Sequence, residues 1–579
     1  MATTTVTQAT TTTGIELHEL HLHATAQISP PAKIQLPSIT IRESNALASG
    51  ANTPPFTPGP TTPRSERRVF DVAPSNILTP SKRLLITFLI MMANLVQFVS
   101  NAVTIGAGFS FSRLLGAGDV GPGQANWMAA SFALTQGAFV LISGRLGAVY
   151  GHQRILLLGL SVIVFFSLIN GFCTTYNTFV AARAFTGIGG GLIMPNAVAM
   201  ITIMLPPGRS RNITTGIFAG SAPIGGWLGI LLGGIFTQLT NWQYLFWFLA
   251  GLGTVVGGGL WWLFPREQPV DKGGKIDYIG AALGLSGMIL FNVVWNQAPS
   301  VGWSTPYEIV LLLLSLALFG SFLLWESRCK EPIMPLSIFT KAPTFGALVL
   351  VVLLSYMSFG ISLWYMIAWQ QLVRGWTVME LAVGWIPFGL GAATAVLFAA
   401  WLIPRLAAQW IMAIGVAATL VANLLLATMP EQQNYWIQTF PAILISSTCP
   451  DFVYVAAQII ASNSVGRREQ GIAGSLIGTL NLYGNALGLG FAGTIETEVH
   501  KYPGSTQVKG YRAALFFGFA LAVAALMLDF AWVRMPKDDR EGWVEGDDIE
   551  MDDAQLVTGG TTGAEVSGTS QGGVARSLA

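Results

Sequence analysis

The sequence predicts an all-α, polytopic membrane protein with fourteen transmembrane helices, and three observations carry that expectation. Hydrophobic residues make up 52% of the 579 and charged residues 10%, against roughly 25% charge in soluble domains. Apolar windows of about 20 residues, long enough to cross hydrocarbon as helices, recur along the chain. Lys and Arg favour alternate segments between those windows, as they do in cytoplasmic loops.

The first eighty residues are rich in Thr, Pro and Ser, as in TPPFTPGPTTP at 53–63, and show no sustained hydrophobic period. They read as a disordered cytoplasmic tail. No apolar segment precedes residue 84, so the first span is expected to serve as the targeting signal. Spans are predicted at 84–110, 126–144, 155–173, 177–205, 214–236, 243–264, 276–297, 306–326, 343–367, 378–402, 410–427, 435–464, 471–494 and 511–533. A second disordered cytoplasmic tail is expected from residue 536 on. It carries nine Asp or Glu between Asp538 and Asp553 before turning glycine-rich.

Charge placement supports both termini on the inner side. The inner loops then hold Arg145 and Arg154; Arg209 and Arg211; Arg266, Lys272 and Lys275; Arg328, Lys330 and Lys341; Arg405; and Arg467 with Arg468. Outer segments 174–176, 237–242 and 298–305 hold no Lys or Arg, and 111–125 holds only Arg113. Arg374, Lys501, Lys509 and Arg512 are the exceptions, all in the second half.

Several function classes are excluded. Cys173, Cys329 and Cys449 are far apart and lack ligand spacing, so neither a metal site nor a disulfide framework is expected. His18, His21 and His23 cluster only in the N-terminal tail. No phosphate-binding loop or polar nucleotide domain is present, which leaves an ion gradient as the energy source and no cofactor. No basic cluster suits nucleic acid, and no nucleophile and base share a catalytic spacing.

Ionisable groups inside spans are costly and face the bundle interior or water. Arg183 lies in the fourth span, in the run Arg183 to Gly191 (RAFTGIGGG). It either faces a cavity, in gating or proton coupling, or snorkels to the outer interface. Asp451, directly after Pro450, is the only acidic residue deep in a predicted span and the candidate proton carrier; the alternative is a structural carboxylate at a broken helix or one near the outer face. The fifth span carries Gly216, Gly220, Pro223, Gly225 and Gly226, a pattern that allows close helix approach and bending, or static packing. Asn94, Gln97, Gln136, Gln458, Asn481 and Asn485, with aromatic Tyr356, Trp364 and Tyr365, suit a cavity for a small, weakly polar ligand.

At Gly144 to Arg154 (GRLGAVYGHQR) the chain resembles a major facilitator superfamily signature, G-x-L-(A/G)-D-x-x-G-R-(R/K), through Gly144, Arg145, Gly147, Gly151 and Arg154. Ala148 stands where the family has Asp, and His152 where it has its first Arg, departures that weaken the gating charge interaction. Arg183 with Gly187 and Gly189 is similar to the family's fourth-helix motif, in which the Arg is implicated in proton coupling. Gly216 to Gly226 resembles the fifth-helix motif of antiporters. On these three motifs the chain is identified as a fungal member of the fourteen-helix drug:proton antiporter group. Residues 127–147, EPIMPLSIF at 331–339 and PDFVY at 450–454 further resemble the yeast aminotriazole-resistance and boron-efflux subgroup.

The resemblance implies two six-helix bundles with inverted internal repeats, at 83–264 and 343–535, separated by two additional helices within 265–342. It implies proton-coupled export of small toxic compounds, with borate and aminotriazole-like solutes as candidates. The partners are a small-molecule substrate, protons and the lipid bilayer, and the chain is expected to act as a monomer in the plasma or the vacuolar membrane. A dedicated exporter of a secondary metabolite, an importer of a nutrient or siderophore, and a membrane receptor or structural protein are the other classes.

Overall fold

A computed structural model describes residues 79–534 except 119–120, 206–208, 265–268, 330, 342 and 466–469, all within the compact unit Phe70–Ala579. The histidine cluster, Arg266, Lys330, Arg467 and Arg468 lie outside the described residues, as do both predicted tails except 79–82, where the expected disorder to residue 82 gives way to the first helix at Pro80. The side chains of Arg209, Arg211 and Lys341 also lie outside them.

Every long element is a helix, as hydrocarbon demands of a backbone that must satisfy its own hydrogen bonds. The helices are α1 (Pro80–Leu114), α2 (Trp127–Tyr150), α3 (His152–Asn170), α4 (Tyr176–Met204), α5 (Arg209–Leu239), α6 (Trp242–Leu263), α7 (Tyr278–Val301) and α8 (Pro306–Glu326). Then come α9 (Pro343–Ala368, extended by a π turn, Trp369–Val373), α10 (Val378–Gly384 and Ile386–Leu402) and α11 (Ala408–Ala427). The series closes with α12 (Thr439–Ser446 and Cys449–Ser464), α13 (Gln470–His500) and α14 (Gln507–Trp532). Local signals set several starts. Asp277 caps α7 by accepting from the Gly280 N–H (2.9 Å), and Thr377 with Glu380 forms a capping box at α10.

Among the described residues thirteen helices are long and apolar enough to cross a membrane. The remaining long one is α13, whose seven glycines, Asn481 and Asn485 dilute its apolarity. It is packed by α2, α7, α9 and α14 and has little need of a lipid-compatible surface. Its glycines bring backbones together, since a Cβ at Gly488 would lie 2.5 Å from the Met357 carbonyl oxygen.

The packing pattern positions the site. Helices α1–α6 pack on one another and α9–α14 do likewise; the two sets meet along α2 with α13 and α5 with α10, while α7 pairs with α8 and reaches both α2 and α13.

Three details correct the predicted elements. The signature segment is helical almost throughout. α2 runs to Tyr150, α3 begins at His152, and the turn is made at Gly151 alone, whose φ of 103° other residues rarely adopt. α12 is interrupted at Ser447–Thr448, and α10 at Trp385 before Pro387.

The arginines that broke the charge rule have structural partners. Arg374 donates to Thr439 Oγ1 (2.9 Å) and Arg512 to the Met429 carbonyl (2.9 Å), so both brace the α11–α12 connection. Burial lowers the pKa of Arg374, and it pushes the nearby Tyr435 phenol, which donates to the Gly384 carbonyl (2.7 Å), up to about 12.

Candidate functional site

Arg183 stands about two turns into α4 and is wholly buried. Nη1 donates to Ser100 Oγ (2.8 Å), and Nη2 to the Ser100 carbonyl (2.5 Å) and Thr104 Oγ1 (3.4 Å), all on α1. The rings of Phe132 (4.8 Å) and Phe246 (5.8 Å) cover the guanidinium, and Nε has no partner. Snorkelling to an interface is therefore not what the side chain does. It is a cation held by neutral oxygens and π faces, without a carboxylate among the described residues.

Asp451 occupies the first turn of the second segment of α12, 5% exposed, and its Oδ2 has no partner. The helix start favours a negative charge there. Beside it, the buried Tyr356 of α9 donates to the Pro450 carbonyl (2.9 Å). On the exposed face next to this break lies an open groove lined by Thr394, Leu397, Phe398, Trp401, Thr448 and Phe452, with Leu397, Phe398 and Trp401 themselves exposed.

Asp451 is not the sole buried carboxylate. Asp529 of α14 is 1% exposed with both oxygens unpartnered. Glu496 of α13, 8% exposed, accepts from the Tyr365 hydroxyl (2.8 Å) and from the Gly123 N–H. The expected α13 stopped at residue 494, two short of Glu496, and Asp529 was masked by its place near the end of its span.

The nine cavity candidates fall into three groups. Asn94, Gln97 and Gln136 form a buried chain: Gln136 donates to Gln97 Oε1 (3.4 Å), Gln97 to Asn94 Oδ1, and Asn94 to Ser221 Oγ (2.7 Å), joining α2, α1 and α5. Tyr356, Trp364 and Tyr365 are fully buried on α9. Trp364 donates to the Pro122 carbonyl (3.0 Å) and stacks on Phe109 (4.7 Å), and Gln371 reaches the Gly106 carbonyl (2.7 Å). These contacts and Glu496 seal the end that holds the α1–α2 loop. Only Gln458, Asn481 and Asn485 stay partly exposed; Gln458 donates to the Gly474 carbonyl (3.1 Å) and Asn485 to that of Asn481 (2.7 Å).

At the opposite end, Arg145 pairs with Asp271 of the α6–α7 loop (2.7 Å) and lies 3.8 Å from Glu331. A Cβ at Gly144 would touch Ser475 Oγ (3.0 Å), and one at Gly147 would overlap Asn196 Oδ1 (1.8 Å). His152, at the family's first Arg position, is instead a buried partner of Asn196 (Nδ1 to Oδ1, 2.8 Å). Arg154 is exposed.

On α5, Pro223 sits inside an unbroken helix. Gly225 meets Phe98 of α1 (2.9 Å from a built Cβ) and Gly220 meets Val396 of α10 (3.1 Å), whereas Gly216 and Gly226 have open space. The glycines thus serve contacts with two different helices.

The Major Facilitator Superfamily model matches residues 83–489. The chain belongs to the major facilitator superfamily. It is a multi-pass membrane protein of a family of transporters. It is 33% identical over 422 residues to a major facilitator superfamily multidrug transporter of Aspergillus fumigatus, covering 70% of this chain and 72% of that one. It is 31% identical to the aminotriazole resistance protein of Saccharomyces cerevisiae (70% and 76% covered) and 31% to that yeast's low affinity ammonium transporter (73% and 84%). The fold is similar to an inward-facing bacterial homologue of the lysosomal transporter Spinster, with TM-score 0.54 at 16% identity, over 81% of this chain and all of the other. This superfamily member is similar to fungal efflux and drug-resistance transporters, as its motifs implied.

Proposed function

We propose that this transporter exports small, weakly polar toxic compounds or drugs from the cytosol in exchange for protons by alternating access. Aminotriazole-like solutes and borate are the candidate substrates. The observation that carries the coupling is the placement of a buried cation without a counter-charge, Arg183, in one helix set and a buried carboxylate with an unpartnered oxygen, Asp451, in the other. A buried carboxylate without a counter-charge is costly in one conformation and relieved by water or substrate in another, so a proton at Asp451, set against the fixed charge of Arg183, biases the two states differently. Kinship with multidrug and aminotriazole-resistance proteins supports the outward direction. The basic inner loops support cytoplasmic termini, in the plasma or vacuolar membrane, with the monomer as the working unit.

Kinship with an ammonium transporter supports a second reading, uptake of a small nitrogenous solute. Liposomes holding the full chain and loaded with labelled aminotriazole, borate or methylammonium separate the two. Exit of aminotriazole or borate accelerated by an imposed pH gradient supports export. Movement of methylammonium alone, indifferent to the gradient, contradicts it and favours uptake.

A further inference from the structure

The additional pair, α7 and α8, is bound to its neighbours in two unlike ways. Toward α2 it is pinned at both ends. At the turn end, Arg145 pairs with Asp271 (2.7 Å) and donates to the Lys275 carbonyl (3.0 Å). There also the Asp271 N–H donates to the Ala148 carbonyl (3.0 Å), and the Tyr150 and Tyr278 hydroxyls share a bond (2.6 Å). At the other end Asn126 donates to Asn296 Oδ1 (3.0 Å) and Trp127 to Gln297 Oε1 (2.9 Å). From Trp127 to Tyr150 is about 35 Å of helix, so two attachments that far apart fix both slide and tilt.

Toward α13 the contacts are of another kind. Asn296 donates to the Ala486 carbonyl (3.1 Å), Tyr483 to the Met288 carbonyl (3.0 Å), and Trp295 stacks flat on Phe491 (3.8 Å). Carbonyl acceptors recur on one helix face about every 5.4 Å, and Gly490 and Gly493 present backbone rather than side chains to Trp295 and Pro299. The side-chain pairs toward α2 have no substitute when displaced.

We propose that α7 is carried by the α1–α6 set through α2 and slides on α13 during transport, with Asp271 and Asn296 as its positioning residues. The Arg145–Asp271 pair is partly exposed, 36% and 43%, and a pair in that setting is weak and screened by salt. Holding α7 depends on six contacts acting together. Asp271 also supplies a carboxylate to a helix turn in which Ala148 offers only its backbone carbonyl.

The proposal rests on the alternating-access reading, and three distances separate the two. Spin labels at the exposed positions Leu158 (α3), Ile279 (α7) and Met527 (α14), taken in pairs, are measured in the reconstituted full chain at pH 5 and pH 8. The expected result is an unchanged Leu158–Ile279 distance, with Ile279–Met527 shifting together with Leu158–Met527. A changing Leu158–Ile279 distance beside a constant Ile279–Met527 distance overturns the assignment and places α7 with the α9–α14 set. A static Leu158–Met527 distance removes the rocking motion itself, and the sliding with it.

Asp271→Asn and Asn296→Ala should each broaden the Leu158–Ile279 distribution. The exchange of Arg145→Asp with Asp271→Arg should narrow it again, which loss of structure alone does not predict. Sharp distributions in both single variants would contradict the positioning role.

Discussion

The two helix sets treat buried polarity differently. In α1–α6 one run of polar side chains is linked end to end, although Gln136 Oε1 and Arg183 Nε keep no partner. Gln136, Gln97, Asn94 and Ser221 form a connected chain, and Arg183 is received by Ser100 and Thr104. In α9–α14, Asp451 and Asp529 keep unpartnered oxygens, and Glu496 is met only by a hydroxyl and a backbone amide. A satisfied network rigidifies, whereas a half-satisfied one is costly and inclined to rearrange. On the proposed reading, the linked run makes α1–α6 the stiff set around a fixed cation, and the unpartnered carboxylates make α9–α14 the labile set that exchanges protons.

The largest expected effect is at Arg183. Arg183→Ala should slow transport on the order of a hundredfold, about 3 kcal/mol, while Arg183→Lys, which keeps the charge but loses the forked donor, should retain part of the rate. Liposome flux measures both. Equal rates for the two variants would show that charge is irrelevant at this position.

Stability sharpens the contrast in the next range. Asn94→Ala strands the Gln97 amide N–H, while Ser221 keeps its bond to the Phe218 carbonyl, and should destabilise by about 1–3 kcal/mol, seen as a lower apparent melting temperature in detergent. Asp451→Asn should leave stability within about 1 kcal/mol or raise it, because the unpartnered Oδ2 has no hydrogen bond to lose. A larger loss at Asp451 than at Asn94 would reverse the assignment of stiff and labile sets.

The smallest effects separate two glycines of α5. A Cβ at Gly229 would sit 2.5 Å from the Val99 carbonyl oxygen, whereas nothing lies within 4 Å of one at Gly226. Gly229→Ala should cost about 1–3 kcal/mol by overpacking, and Gly226→Ala should stay within about 0.5 kcal/mol. Comparable melting temperatures would mean that α1 and α5 are not tightly fitted.

Much of the fold was legible because a membrane span is a local property, and length and apolarity record it within one window. What was not legible depends on partners distant in sequence. The α12 break was legible at Pro450, whereas the extent of α13 requires knowing that other helices cover its glycines. The site was readable at Arg183 and Asp451, where charge stands out against an apolar background. It was hidden at Asp271, an ordinary loop residue until Arg145 is placed beside it. The polar residues expected to line one cavity were recognisable as buried, but their division into a network, a sealed end and a partly open face is a tertiary fact.

The most direct test of the account is proton release or uptake when a transported compound is added to liposomes carrying wild type or Asp451→Asn at matched expression. The account predicts proton movement opposite to the compound in wild type and its loss in Asp451→Asn, with compound binding retained. Unchanged proton exchange in Asp451→Asn would contradict it and move the coupling to the carboxylates of α13 and α14.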